Sequence, residues 1–344
     1  MKILILGSFN TGALEHHFFN GFIANDVEVL KYDVTQNYLN SLKNNLSSKL
    51  INRLNPNLLL SDINKKIINF CKQSPVDVIF VNKGSTIFPS TLQEIRLFCK
   101  LIVNYNPDHP FIFHSRGSGN KNVSNSIMNY DILFSYSKNI CKKVKEIYKV
   151  NTYWIPFGYD PKLDNINLRN SINSDRFLFV GAFDNNRANL MESLKRNDFD
   201  IYGDGEWFTK TAGKNYVRNS FKNAKLYGND LIQKSKEALA SLNILREQNI
   251  NENAHNMRTF EVPGMGGTLI SNFTEEQAYF FEPDKEMIYF SSTDELNDRL
   301  NHLKSHHDQA LKIRINALER SRKSNYNYNH RCREMLQIIK THLK

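Results

Sequence analysis

The chain has 344 residues, 40% of them hydrophobic and 12% aromatic, and it carries a formal net charge of +10. This length predicts two domains of about 150–180 residues each, and the apolar content argues against a globally disordered chain. No run of about 18 apolar residues occurs, so no transmembrane helix is predicted, and the absence of zinc-finger and RNP-type signatures argues against a nucleic-acid partner.

The first half of the chain alternates predicted strands with predicted helices. Residues 2–6 are continuously apolar, which is typical of a strand covered on both faces. A helix is expected to begin near Ala13 and to run through Phe22. Further strands are predicted at 27–32, 76–81, 101–103, 131–135 and 152–155, and further helices at 90–100 and 138–149. This alternation favours a doubly wound parallel sheet.

A polar segment, 156–175, is typical of a linker to a second folding unit. Residues 176–180 and Gly181 repeat the strand-then-glycine pattern of residues 2–7. The other strands predicted there are 199–202, 241–245, 268–271 and 287–290, and the helices are 187–195, 231–239, 293–303 and 305–342. We therefore predict the α/β class, with Rossmann-like domains at 1–160 and 175–325 that face a central cleft. Ligands of such sheets bind at the carboxyl ends of the strands.

The most informative motif is Arg-Thr-Phe-Glu-Val-Pro-Gly-Met-Gly-Gly, which begins at Arg258 and runs into the strand 268–271. It predicts a short helix that carries Glu261 and stops at Gly266-Gly267. A carboxylate at that place is well positioned to accept hydrogen bonds from two sugar hydroxyls. A simpler interpretation is that Glu261 favours the positive end of the helix and pairs with Arg258 three residues earlier.

These residues resemble the C-terminal half of glycosyltransferases with the GT-B architecture, in particular the spore-maturation (CgeB-like) branch of the family 1-like enzymes. The similarity is sharpest over 256–300 and includes Glu282–Phe290, Ser292–Leu296 and Tyr328–Arg331. It implies a metal-independent transferase that uses a nucleotide-sugar donor and no other cofactor. It also implies that the terminal helix, 326–344, crosses back to the N-terminal domain.

The resemblance assigns donor-binding residues in the second domain. It places Arg258 near the phosphates, Glu261 on the ribose and Arg187 on a phosphate, and an arginine at such a position grips a diphosphate with two donors. Trp207 keeps two interpretations, a core residue and a platform for the nucleotide base. The remaining donor-binding candidates are Gly181, Gly203, Arg246, Gly266 and Gly267.

Candidates for the acceptor side lie after strands of the first domain. Glycines on the first strand-to-helix loop allow close approach of a ligand to the backbone, although a plain turn explains them equally well. The candidates for this side of the cleft are Gly7, Gly12, Lys83 and Arg116. If the enzyme inverts, Asp108 or His114 is the predicted base. Asn253 replaces the glutamate that many retaining enzymes have eight residues before Glu261, so the stereochemical outcome stays open.

The net charge fits either anionic phosphates or a membrane surface, and the abundance of lysine also fits a biased genome composition. No metal site is expected, because the adjacent pairs His16-His17 and His306-His307 cannot face one ion from a regular helix. We expect a cytoplasmic protein with peripheral membrane contact. Its basic terminal helices, 304–344, either contact lipid or form a solvated face.

The predicted reaction transfers a sugar to a glycan or lipid-linked acceptor in bacterial surface polysaccharide (LPS or capsule) assembly. Two alternatives stay open, a nucleotide-sugar 2-epimerase and a non-catalytic module that binds a nucleotide sugar or a polysaccharide. A dinucleotide oxidoreductase is disfavoured, because no Gly-x-Gly-x-x-Gly loop follows either first strand.

Overall fold

The computed structural model describes residues 1–37, 56–113, 118–165, 174–195 and 198–343. The chain divides into two compact units. Unit 1 consists of Met1–Pro156 and Tyr328–Lys344, and unit 2 is Phe157–Asn327. Each unit contains one parallel sheet with helices, which confirms the predicted α/β class. No helix within the described ranges is long and apolar enough to cross a membrane.

Unit 1 is built on a six-stranded parallel sheet with the order β2-β1-β3-β4-β5-β6. Val78 to Asn82 and Leu101 to Asn106 are buried at every position, as expected for strands covered on both faces. Its strands are β1 (Lys2–Gly7), β2 (Glu28–Asp33), β3 (Val78–Asn82), β4 (Leu101–Asn106), β5 (Ile132–Ser135) and β6 (Asn151–Trp154).

The helices of unit 1 connect these strands. The described ones are α1 (Leu14–Ile23), α2 (Pro56–Gln73), α3 (Pro89–Ile95), α4 (Lys121–Asn125) and α5 (Lys138–Tyr148), with short 3-10 turns at Arg96–Phe98 and Ile127–Asn129. The C-terminal helix, Tyr328–His342, also belongs to this unit and packs on α1. A Cβ at Gly21 would lie 2.5 Å from Cys332 Sγ, so a glycine is what lets these two helices approach.

Unit 2 is built on a five-stranded parallel sheet with the order β11-β10-β9-β7-β8. The chain enters at β7 and forms β8 on one side, then returns to form β9, β10 and β11 on the other. The strand order therefore reverses between β7 and β9, which is where open sheets of this kind bind ligands. Its strands are β7 (Phe177–Val180), β8 (Phe199–Tyr202), β9 (Ala240–Asn243), β10 (Leu269–Asn272) and β11 (Ile288–Phe290).

Nine described helices surround that sheet, and a 3-10 turn at Pro161–Asn165 precedes it. The apolar core between them includes Phe177, Phe199, Trp207 and Leu300. The helices are α6 (Asn185–Ser193), α7 (Glu206–Thr209), α8 (Asn215–Ser220), α9 (Gly228–Glu237), α10 (Glu247–Asn251), α11 (Arg258–Gly264), α12 (Glu275–Phe280), α13 (Thr293–Ser305) and α14 (His307–Lys323).

The prediction of one helix over 305–342 is wrong, because the chain breaks between α14 and the C-terminal helix. Asn325 adopts a left-handed backbone with φ 54°, which ends the helix. The next residue, Tyr326, accepts a hydrogen bond on its carbonyl from the Tyr159 N–H at 3.0 Å. The break is therefore the place where the chain passes alongside its own entry into unit 2 before it joins unit 1.

Two arginines of α14 have a structural role. The sequence predicted either lipid contact or a solvated face for residues 304–344, and neither includes this role. Arg314 is fully buried and donates to the carbonyls of Lys236 at 2.7 Å and Ala238 at 2.8 Å. Burial lowers the pKa of Arg314 to about 10. Arg320 likewise donates through Nε to the Phe280 carbonyl at 3.1 Å. These two arginines fix α14 to the rest of unit 2.

We expect Arg314→Ala to lower the free energy of unfolding by about 3 kcal/mol, because it leaves two buried carbonyls without their donor. Lys312→Ala changes an exposed residue of the same helix and serves as the control. Chemical denaturation of both variants measures the difference. Equal stability of the two variants would contradict a structural role for Arg314.

Candidate functional site

The predicted donor-binding residues collect at the reversal point of the unit 2 sheet. β7 ends at Val180 and continues into Gly181, and β9 is followed by Arg246. Arg187 lies in the first turn of α6, where the Asp184 side chain caps the helix by accepting from the backbone N–H of Arg187. These segments follow neighbouring strands, so parallel pairing brings their side chains to one edge of the sheet.

Two arginines are held on backbone carbonyls at this edge. Arg187 donates through Nε to the Ile244 carbonyl at 2.9 Å and through Nη1 to the Ala182 carbonyl at 3.1 Å. Arg258, at the start of α11, donates through Nε to the Val180 carbonyl at 3.4 Å. The carbonyls that follow β7 and β9 thus orient both guanidinium groups.

Arg246 completes a cluster of three guanidinium groups, called the arginine cluster below. The pKa of Arg187 falls to about 10, mainly through burial and then through the charge of Arg246. Asp184 opposes this fall, and Arg258 adds a smaller lowering. Within the described part of the chain, the Arg246 side chain takes part in no hydrogen bond or ion pair. The cluster is therefore a site of excess positive charge, and an anion bound there would relieve the repulsion.

Glu261 lies beside this cluster on α11. Its residue is 9% exposed, and its carboxylate forms an ion pair with Nη1 of Arg258. The pairing predicted from their spacing of three residues is confirmed. Every residue from Thr259 to Gly264 is buried, so the helix that carries Glu261 is enclosed by unit 2.

A buried network of uncharged polar groups fixes the loop before α11. The side-chain amides of Asn243 and Asn256 bond reciprocally, at 3.1 and 2.8 Å, and Asn243 also donates to Ser271 Oγ at 3.1 Å. Thr259 Oγ1 and Ser271 Oγ both donate to Gln277 Oε1, at 2.8 and 3.0 Å. This network was not predicted, although the polar residues of β9 and β10, Asn243 and Ser271 among them, were a usable signal.

The glycines proposed for donor binding serve close packing between loops. Trp207 is fully buried and donates through Nε1 to the Gly181 carbonyl at 2.9 Å, so it is a core residue and not a platform for a base. A Cβ at Gly203 would overlap that same carbonyl oxygen. Gly266 has φ 73°, and a Cβ at Gly267 would lie 2.8 Å from Val262 Cγ1.

Gly203→Ala is expected to destabilise the protein by about 2 kcal/mol, because the new methyl group has to displace the Gly181 carbonyl or the Trp207 ring. Gly205→Ala is the matched control, since a Cβ there meets no atom within 4 Å and its φ is −65°. Thermal unfolding of both variants provides the comparison. A Gly203→Ala variant as stable as Gly205→Ala would refute the close packing.

In unit 1, the structure brings two of the predicted acceptor-side residues together. Lys83 Nζ forms an ion pair with Asp108 Oδ2 at 2.5 Å. Lys83 follows β3 with a left-handed backbone, φ 62°, and Asp108 follows β4, so both lie at the carboxyl edge of this sheet. Gly12 also has a positive φ, 76°. Two further candidates, His114 and Arg116, lie outside the described residues.

A residue that was not predicted to belong to a site, Glu15, lies in the first turn of α1 and is only 5% exposed. Its Oε1 accepts a hydrogen bond from the Ser8 N–H at 2.7 Å, and its carboxylate fills the space that a Cβ at Gly7 would need. Burial raises the pKa of Glu15, against the opposing effects of a hydrogen bond from Asn82 and the charge of Lys83. Glu15 thus links the loop after β1 to the end of β3.

Because its folded-state pKa is raised above 4.5, Glu15 binds its proton more tightly in the folded chain than in the unfolded chain. The stability that this proton contributes is present below that value and is lost as the pH rises through the folded-state pKa. Glu15→Gln, whose oxygen can still accept from Ser8, should therefore be more stable than the wild type near pH 7 and lose this advantage near pH 4.5. Urea denaturation at both pH values checks this. An advantage that does not change with pH would contradict it.

Two spacings found in metal sites do occur in the sequence, and the expectation of no metal site overlooked both. Asp198 and Asp200 flank one residue, but Arg176 forms ion pairs with both of them. His302 and His306 stand four residues apart with their rings stacked at 4.1 Å, and His306 Nδ1 lies 2.9 Å from the His302 carbonyl oxygen. Within the described ranges, no group of three or more His, Cys, Asp or Glu side chains is arranged to hold a metal ion.

Comparisons with known proteins place this geometry in a wider group. Residues 187–337 match the sequence model of a family described as glycosyl transferase-like. A sucrose-phosphate synthase from Thermosynechococcus elongatus is 10% identical, with 99% of each chain covered and a TM-score of 0.68. The Anabaena protein HepE, in complex with UDP, is 11% identical, with 99% of this chain and 100% of that chain covered and a TM-score of 0.62. A trehalose-6-phosphate synthase from E. coli, bound with UDP-2-fluoro glucose, is 10% identical, with 99% of each chain covered and a TM-score of 0.64.

At such identities the structural likeness shows the fold alone, and this fold is the predicted GT-B architecture. The family match rests on sequence and spans Arg187, Arg246, Arg258 and Glu261. No curated protein matches the sequence significantly. The spore-maturation branch of the resemblance stays a prediction, because the family match does not distinguish it.

Proposed function

We propose that this chain, a glycosyltransferase with the GT-B fold, transfers a sugar from a nucleotide-diphosphate donor to a glycan or lipid-linked acceptor. Two of its structural neighbours, each about a tenth identical, were solved with UDP or a UDP-sugar analogue, which supports a donor of this class. The assembly of bacterial surface polysaccharide, LPS or capsule, is the process we propose for it. A cytoplasmic location with peripheral membrane contact belongs to the same proposal.

The arginine cluster is the observation that carries the proposal. Departure of a nucleoside diphosphate develops negative charge on its phosphate oxygens, and groups already oriented toward that charge stabilise the transition state. Arg187 and Arg258 are oriented by carbonyls before any ligand binds, and Arg246 adds a third cation. We propose that these guanidinium groups neutralise the leaving group and that the enzyme uses no metal or other cofactor.

Glu261 is proposed to bind the ribose of the donor. A carboxylate accepts hydrogen bonds from two neighbouring hydroxyls, and Glu261 is held at the cluster by its ion pair with Arg258. Donor binding would let Arg258 exchange part of this contact for a phosphate. Gly181, Gly203, Gly266 and Gly267 keep the surrounding loops packed, so we propose an indirect role for them in donor binding.

The acceptor is proposed to bind at the carboxyl edge of the unit 1 sheet. Lys83 and Asp108 lie there as an ion pair, and the loop after β1, which contains Gly7 and Gly12, is held by Glu15. Asp108 remains the candidate for the base of an inverting reaction, together with His114. Arg116 is retained as an acceptor-side candidate from the sequence.

The first test compares Arg246→Ala and Glu261→Ala with wild type in a transfer assay over a panel of nucleotide sugars. Arg246→Ala should keep its stability, since its side chain forms no hydrogen bond or ion pair with a described residue, and should lose about 100-fold in kcat/KM. Glu261→Ala should bind the donor more weakly, because the hydrogen bonds from its carboxylate to the ribose hydroxyls are lost. Arg299→Ala and Glu282→Ala serve as controls. Each removes one side chain from an exposed ion pair outside the arginine cluster, that of Arg299 with Asp284 or that of Glu282 with Lys285.

Full transfer activity in Arg246→Ala and Glu261→Ala would overturn the assignment of the site. Donor turnover without any acceptor would point instead to a nucleotide-sugar epimerase. Donor binding without turnover would point to a non-catalytic module.

A further inference from the structure

Helix α5 presents a basic face on unit 1. It contains four lysines and one glutamate, and it packs inward through Ile140 and Val144. Lys138, Lys142 and Lys145 recur at helical spacing, so they share the opposite side of the helix. We call these three residues, together with Lys149 at the helix end, the lysine face.

Three lysines of the lysine face, Lys142, Lys145 and Lys149, differ from lysines on other helices in their ion pairing. Lys66 and Lys234 each pair with a carboxylate three or four residues away on their own helix. In the part of the chain that the structure describes, Lys142, Lys145 and Lys149 form no ion pair. A face that is merely solvated would not need to avoid such pairs, which are typical of exposed helices.

Aromatic rings border the lysine face on two sides. The Tyr148 ring stacks on that of Phe111, with centroids 6.0 Å apart and planes inclined by 10°. At the other end of the helix, Lys138 Nζ lies 4.2 Å from the centroid of the Trp154 ring. Tyrosine and tryptophan combine an apolar ring with a polar group and are enriched where water meets lipid.

Exposed aliphatic and aromatic side chains lie next to these rings in the sequence. Ile112 and Phe113, in the loop that carries Phe111, are 43% and 37% exposed. Exposed apolar side chains beside unpaired lysines are the composition of an interfacial surface, in which the lysine stems also contribute apolar area. A docking site for an acidic protein would explain the lysines but not this apolar border.

We propose that the lysine face, with Phe111, Ile112, Phe113 and Trp154, binds a membrane surface that contains anionic lipid. This inference deepens the proposed function and rests on it for its meaning, since a lipid-linked acceptor lies in such a surface. The loop that carries Phe111 follows β4 and also contains Asp108, a proposed acceptor-side residue. This surface differs from the terminal helices, on which the sequence placed the membrane contact. There Arg314 and Arg320 donate hydrogen bonds to carbonyls of unit 2.

The test is co-sedimentation of the full chain with vesicles of phosphatidylcholine alone and with vesicles that also contain phosphatidylglycerol. Binding is expected only with the anionic lipid and should weaken as salt is added. The double variant Lys142→Glu/Lys145→Glu should lower the partition coefficient at least about tenfold. Ile112→Asp should lower it without changing any lysine, whereas Ile147→Asp, on the side of the helix opposite the lysine face, should leave it unchanged.

Lys65→Glu/Lys72→Glu makes the same change in net charge on α2 of the same unit and is the control. Binding that survives in the control and fails in the lysine-face variant supports the proposal. Equal loss in both variants, equal binding to both kinds of vesicle, or no vesicle binding by the wild type would each overturn it.

Vesicle binding is measured without donor or acceptor, so the outcome is separate from sugar transfer. Vesicle binding by a chain that transfers no sugar supports this surface and contradicts the proposed function. Sugar transfer by a chain that binds no vesicle supports the proposed function and contradicts this surface.

Discussion

Repulsion between like charges at the carboxyl edge of the unit 2 sheet is the constraint around which that unit is organised. Arg187, Arg246 and Arg258 lie close enough for two of them to lower the pKa of the third. The chain orients Arg187 and Arg258 with carbonyl oxygens, which carry no net charge, and among the described residues one carboxylate, that of Glu261, forms an ion pair with the cluster. Positive charge is therefore left in place at this edge of the sheet.

The same constraint explains why the loop before α11 is fixed by amides and hydroxyls. Carboxylates there would hold the loop equally well, but they would cancel the field of the arginine cluster. Asn243, Asn256 and Thr259 supply fixed geometry without charge, and a fully bonded network of this kind is rigid in a buried environment. Gly203 and Trp207 add close contact between loops on the other side of β7. Charge and rigidity at this site thus come from different residues.

The sequence predicted the features that local patterns encode. Buried parallel strands are continuous apolar runs, so β1 and β3 were recognised to within two residues, and the spacing of Arg258 and Glu261 predicted their ion pair. The burial of Glu15 could not be predicted, because it depends on Asn82, far away in sequence. Helices of four or five residues, such as Glu206–Thr209 and Glu247–Asn251, carry too little periodicity to detect. The break after Lys323 was missed because Asn325 ends the helix without a glycine or proline to mark the place.

The packing of Gly21 against Cys332 has a consequence for the order in which a newly made chain can fold. Unit 2 is one uninterrupted segment, whereas unit 1 needs residues 328–342 to cover α1. All residues of unit 2, the unit with the arginine cluster, are synthesised before residues 328–342. The usual order of domain folding during synthesis, N-terminal first, is therefore reversed for the completion of these two units. Until translation reaches that helix, the apolar side chains of α1 that face it, among them Phe18, depend on the rest of the cell for protection from aggregation.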